Sequence, residues 1–225
     1  MDGANVPDLR AAVVRAAGIA EPAGRALEVV ALIDQAMGGS APHPVVVGGM
    51  AVYYWTANDA FLTADIDLVV PTSARFVDAL ASLGFARSTD GRHWELPGTE
   101  VLVEAPASRL DPGTTIEFVE APSGHIVGVL SHADVLLDRL AEFQATGHQI
   151  VAQQVLVLLA ALPDANAAEL ERKAATRRVV SALKGMSALV DDIDAARRPV
   201  PDSGEWHELA RRYERAEYHR SPDES

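Results

Sequence analysis

Apolar and polar positions switch between two periods along this chain, and the switches mark out its elements. From residue 22 to 37 apolar side chains recur through Leu27, Val30, Ala31 and Leu32 at helical spacing, and Gly38-Gly39 ends the run. Val45-Val46-Val47 is a short apolar run of the kind a buried strand carries, closed by Gly48-Gly49. A helix over roughly 50–58 follows, then a strand over 65–70 in which Asp65 and Asp67 alternate with Ile66 and Leu68. Pro71-Thr72-Ser73 turns the chain into a helix over 74–83, ended by Gly84. After this βαβα order, short strands are expected near 92–96, 100–104, 114–121 and 125–130, in a stretch dense in Gly, Pro, Asp and Thr. That pattern suits a mixed sheet better than a doubly wound parallel one, so the expected class is α/β in the α+β sense.

The second half reads as helical. Ser131 with Asp134 three residues later has the form of a capping box, opening a helix that runs to about residue 145 and breaks at Gly147. The run 150–162 is apolar nearly all round, which predicts a helix sandwiched between others. One further helix is expected over 167–189, a linker over 198–204, and a charged terminal helix over 205–219 before a frayed tail. The expected organisation is therefore an N-terminal segment (1–21), a mixed-sheet core (22–148), C-terminal helices (149–197), and a linker, terminal helix and tail (198–225).

The chemistry concentrates where the first two strands end. Asp65 and Asp67 project from the same strand face, so two carboxylates converge on one small volume. Hard oxygen ligands suit Mg²⁺ or Mn²⁺, with phosphate oxygens and water completing the shell. Gly48 and Gly49 lack Cβ, so phosphates can approach the backbone where the next helix aims free N–H groups. Together these features point to a nucleoside triphosphate held through divalent metal. A third carboxylate can come from the Val-rich strand near 100–104, where Glu100, Leu102 and Glu104 share a face. Glu104 is preferred, because Glu100 sits beside Pro97-Gly98-Thr99 at an exposed strand start.

Val47-Gly48-Gly49-Met50-Ala51, Thr63-Ala64-Asp65-Ile66-Asp67-Leu68-Val69, Val101-Leu102-Val103-Glu104-Ala105-Pro106 and Leu130-Ser131-His132-Ala133-Asp134, leading to Asp138-Arg139-Leu140, resemble the nucleotidyltransferase superfamily with the polymerase-beta-like fold. Within it they look like the small bacterial branch akin to the AbiEii and MenT toxins, over about residues 27–160. The resemblance implies Asp65, Asp67 and Glu104 as catalytic metal ligands. It also implies Gly48, Gly49, Thr63 and Arg139 as nucleotide-binding positions, and a toxin–antitoxin setting with a cognate protein partner. Members commonly carry a basic residue shortly before the Thr of Thr-x-Asp-x-Asp, and Asp59-Ala60-Phe61-Leu62 offers none. Arg75, Arg92, Arg109 and Arg139 are then the candidates to meet the triphosphate, with a solvated surface position the bland reading for each.

Charge and composition narrow the acceptor. Net charge is −13, and residues 1–168 hold 8 basic and 20 acidic side chains against 11 and 12 in residues 169–225. An acidic catalytic half argues against an extended nucleic-acid footprint and favours a protein or a small molecule, such as an aminosugar, as acceptor, with an RNA end as a further option. Without cysteine there is no disulfide framework, thiolate zinc site or cysteine nucleophile. Neither a leader nor a membrane span is apparent, so the expected setting is cytoplasmic. The seven histidines show no i, i+4 helical pair or zinc-ligand spacing and read as scattered surface residues. Trp55 reads as core before it reads as a base-stacking platform. Two readings stand beside the transferase: a non-catalytic binding partner that keeps the fold, and a carboxylate-metal hydrolase with water as acceptor.

Overall fold

The computed structural model describes residues 6–162 and 167–195, and the expected terminal helix over 205–219 lies outside them. The chain divides into two compact units between Ser131 and His132. The helix that follows Ser131 therefore groups with the helices after it.

The first unit opens with α1 (Val6–Ala17) and α2 (Pro22–Ala36). Glu21 caps α2 by accepting the Ala23 and Gly24 N–H groups, and Pro22 occupies the first helical turn, where no N–H is needed. Ala26, Leu27 and the run Val29–Ile33 are buried, a wider apolar face than a surface helix shows. Strand β1 (Val45–Val46) leads directly into α3 (Gly48–Thr56), and a single 3₁₀ turn (Asp59–Phe61) precedes β2 (Asp65–Val69). Helix α4 (Ala74–Leu83) is capped by Ser73 and ends at Gly84, whose φ of 96° is the left-handed conformation that glycine adopts without strain. Helices α1, α2 and α4 pack on one another.

The remaining strands are β3 (Ala86–Arg87), β4 (His93–Glu95), β5 (Leu102–Ala107), β6 (Ile116–Glu120) and β7 (Ile126–Leu130). They join β1 and β2 in a seven-stranded sheet of order β3-β4-β5-β2-β1-β7-β6. Pairs β1–β7 and β2–β5 are parallel, and β1–β2, β3–β4, β4–β5 and β6–β7 are antiparallel. The mixed α/β class expected from the pattern is thus the observed one. On β2, Ile66 and Leu68 are buried while Asp65 and Asp67 stay partly exposed, so the period-2 pattern reports the two faces of the strand. Strand β3 and the 3₁₀ turn, at two and three residues, are too short to leave a periodic signal.

The second unit contains α5 (His132–Thr146), α6 (Gln149–Ala160), α7 (Ala167–Arg177) and α8 (Val180–Ala195). The single helix expected over 167–189 is two, parted at Arg178, which takes a φ of 60°. Helix α6 is buried through Val151–Leu156 and Leu158, as its all-round apolar pattern anticipates. The fully buried Asp134 carboxylate takes Lys173 Nζ at 2.6 Å and Arg177 at 2.9 Å, while Arg177 also meets Asp138. This cluster ties α5 to α7. Among the described residues no helix is long and apolar enough to cross a membrane.

Removing one cation from a buried pair leaves an under-compensated charge in a low-dielectric interior. Lys173→Met is therefore expected to lower the stability of the second unit by about 3 kcal/mol. Chemical denaturation followed by far-UV circular dichroism reads the change.

Candidate active site

The candidate site is assembled on the face of the sheet that carries Asp65 and Asp67. Parallel pairing of β2 with β5 sets Asp65 opposite Leu102 and Asp67 opposite Glu104. Glu104, not Glu100, is thus the β5 carboxylate in register with the aspartates; Glu100 precedes the strand and pairs with no residue of β2. Strand β4 adds a third row, with His93 opposite Glu104. Residues paired across neighbouring strands share a face, so Asp67, Glu104 and His93 form one line across the sheet.

Gly48 and Gly49 close the other side of Asp67. Gly48 has a φ of 63°, and a Cβ built on it would stand 2.7 Å from Asp67 Cγ, closer than any side chain tolerates. The start of α3 therefore lies directly against the Asp67 carboxylate, and the Val47 N–H donates to the Asp67 carbonyl at 2.9 Å. A Cβ on Gly49 would meet Thr63 Cγ2 at 3.2 Å. The Thr63 hydroxyl accepts the Asp65 N–H at 3.1 Å, so Thr63 braces the turn that enters β2.

Glu104 is the most constrained group of the set. Its Oε1 accepts from Arg92 Nε at 3.1 Å and Arg92 NH2 at 2.7 Å, and its Oε2 lies 3.1 Å from His93 Nε2. Arg92 and His93 reach it from the β3–β4 hairpin, whose tip is ordered by Asp90. One Asp90 oxygen accepts the Arg92 and His93 N–H groups at 2.8 and 3.1 Å, and the other pairs with His93 Nδ1. Those backbone donors, Arg92 first, with the His93 ring, hold the Asp90 carboxyl well below the usual carboxylate range. The hydrogen bond to Asp90 pushes the His93 imidazole up from its ordinary value, with the charges of Asp90, Glu104 and Asp65 adding to it.

Other sequence candidates have partners of their own. Arg75 is a brace, donating to the Met37 carbonyl and to Ser40. Arg139 lies in the second unit on α5 and pairs with Glu142 at 2.7 Å. Trp55 donates its indole N–H to the Leu130 carbonyl at 2.9 Å and meets Tyr54 edge-on, which is a packing role. Two histidines depart from the scattered-surface expectation: His93 sits on Glu104, and buried His132 holds the Leu158 carbonyl at 2.9 Å through Nε2. Sequence reasoning gave the basic partner of the carboxylates no particular place. The available signal was Asp90-Gly91 between two short runs, a hairpin signature that would have set Arg92 and His93 beside a strand.

An all-carboxylate donor set suits a hard divalent cation. Among the described residues no three His, Asp or Glu side chains are gathered closely enough to hold one. Asp65 and Asp67 could supply the two carboxylates that Mg²⁺ commonly takes, and Glu104 could join them only on release from Arg92 and His93. Comparisons with protein-family models, with curated proteins and with solved structures found no match to this chain.

Because the folded His93 pKa is raised above 6.5, its contacts with Asp90 and Glu104 stabilise the fold fully below about pH 6.5 and fade as pH rises through the raised value. The difference in melting temperature between the native chain and His93→Asn is expected to be largest near pH 5.5 and to shrink toward pH 9. A difference independent of pH would mean that the ring acts by packing alone.

Proposed function

We propose that the protein is a metal-dependent nucleotidyltransferase that moves a nucleoside monophosphate from a nucleoside triphosphate to a hydroxyl, in the cytoplasm. The observation that carries this reading is the register of Asp67 with Glu104 across β2 and β5, with Gly48 seated against Asp67. It gives three carboxylates on one sheet face next to a glycine-lined helix start. Asp65 and Asp67 would hold a divalent cation, which supplies charge neutralisation for the triphosphate. Gly48 and Gly49 leave backbone N–H groups open to the phosphates.

Transfer forms a bond from the acceptor oxygen to the α-phosphorus and breaks the bond from that phosphorus to the bridging oxygen, so pyrophosphate departs. The hydroxyl proton must go to a base. Glu104 is the carboxylate on the far side of Asp67 from Gly48, which makes it the group suited to take that proton once its cations let go. A second reading, a non-catalytic partner that keeps the fold, draws support from that same restraint, because Arg92 and His93 occupy Glu104 here.

Asp65→Ala and Asp67→Ala are each expected to abolish binding of a nucleoside triphosphate with Mg²⁺, whereas Glu104→Gln keeps nucleotide affinity within about tenfold and loses transfer. The assay is calorimetry for binding and, for transfer, each labelled triphosphate incubated with cell extract resolved into RNA, protein and small-molecule fractions. Wild type and aspartate variants equally inert to metal-nucleotide would overturn the transferase reading in favour of the partner.

A further inference from the structure

On the β4 side of Glu104 the first unit has a cleft of about 380 Å³, bordered by Arg87, Arg92, Trp94, Glu104, Pro106 and Thr72. That volume suits a small molecule and lies at the small end of ligand pockets. Its charge is opposite to its surroundings: two arginines and one glutamate line it, in a stretch of chain with 20 acidic and 8 basic side chains. Arg87 lies over the Trp94 ring at 5.9 Å and donates Nε and NH2 to the Gly91 carbonyl at 3.2 and 2.8 Å, which fixes its guanidinium at the cleft wall. Among the described residues the Arg92 guanidinium is held by Glu104, and its side chain is 71% exposed, so it can turn to a ligand without leaving a buried site.

We propose that this cleft binds a small molecule through a phosphate group shared between Arg87 and Arg92, and that the phosphate draws Arg92 off Glu104. A phosphate dianion offers an arginine fork the same bidentate geometry as a carboxylate with more charge, so it competes directly for Arg92. The strand order separates this phosphate from the donor's. Gly48 and Gly49 follow β1, and the cleft adjoins β5 and β4 on the opposite side of β2. Two strand spacings, about 10 Å, lie between β1 and β5. The register also sets Arg87 and Trp94 in line with Val103, on the face opposite the Asp67–Glu104–His93 row, so the cleft reaches that row only through Arg92. The triphosphate thus belongs at the glycines, and the cleft ligand acts on the carboxylates through Arg92 as a regulator of the site. The phosphate site itself does not rest on the nucleotidyltransferase reading, whereas the regulation of transfer does.

The coupling has a chemical consequence. With Arg92 on the ligand, Glu104 loses its closest cation and keeps only His93, so the ligand would bring Glu104 one step nearer to joining Asp67.

The test is calorimetric titration of the full chain with ribose 5-phosphate and with ribose, without metal or triphosphate. Ribose 5-phosphate is expected to bind and ribose not. Arg92→Gln and Arg87→Gln each weaken binding about tenfold, and Arg92→Lys recovers part of the loss. Glu104→Gln tightens binding several-fold, because Arg92 no longer has to leave a carboxylate; a merely structural Arg92 would not produce this. Binding untouched by the arginine substitutions, tightness unchanged in Glu104→Gln, or no saturable binding by folded protein would overturn the proposal. Since triphosphate is absent from the titration, its outcome is independent of whether transfer occurs.

Discussion

Placing Asp67 directly opposite Glu104 on neighbouring parallel strands is electrostatically unfavourable, and much of the surrounding structure answers that one constraint. Like charges at paired positions oppose strand association. Here a third carboxylate, Asp65, lies on the same face two residues away. The apolar side of the sheet supplies the compensating burial: Ile66, Leu68 and Val103 are at most 2% exposed. The polar side supplies cations from a hairpin, Arg92 and His93, brought onto Glu104 by the β4–β5 pairing. Without a bound cation the arrangement depends on these two residues.

The hairpin is itself held by a carboxylate that takes no part in the line. Asp90 accepts two backbone N–H groups and the His93 ring, so its charge is used to fix the direction of the two cations. Arg87 and Trp94 stack next to it. A tip ordered mainly by local hydrogen bonds, with one exposed arginine reaching inward, can exchange that arginine's partner while the sheet stays intact. The site thus has a sheet-borne part and a hairpin-borne part: Asp65, Asp67 and Gly48 stand on paired strands and a helix start, and Arg92 does not.

How much of this was legible follows from which signals are local. The shared face of Asp65 and Asp67 could be read because strand periodicity is fixed within five residues, and the ends of α4 at Ser73 and Gly84 because caps are chemical signals. The preference for Glu104 over Glu100 came from the turn residues Pro97-Gly98-Thr99 beside Glu100, and β5 starts at Leu102, leaving Glu100 outside. What could not be read was the neighbour relation. Strand β5 pairs in parallel with β2 across 37 positions of chain at Asp67 and Glu104, and no local pattern encodes which strand it joins. Arg92 and His93 were therefore visible as residues without a place. The break at Arg178 was hidden for another reason, since neither Gly nor Pro marks it and Arg is a good helix former.

Net charge and local charge answer different questions about binding. A balance of −12 over residues 1–168 sets the long-range field, which governs encounter with a polyanion. Within a cleft a few ångströms across, the nearest fixed charges dominate, because unscreened interactions fall with distance and two guanidinium groups at the wall outweigh carboxylates beyond a screening length of about 8 Å. An acidic protein can thus exclude extended nucleic acid by its field and still hold one phosphate by its geometry. The two demands are compatible when the positive groups are few and each is held in place by a neighbour, as Arg87 is by Trp94 and Arg92 by Glu104.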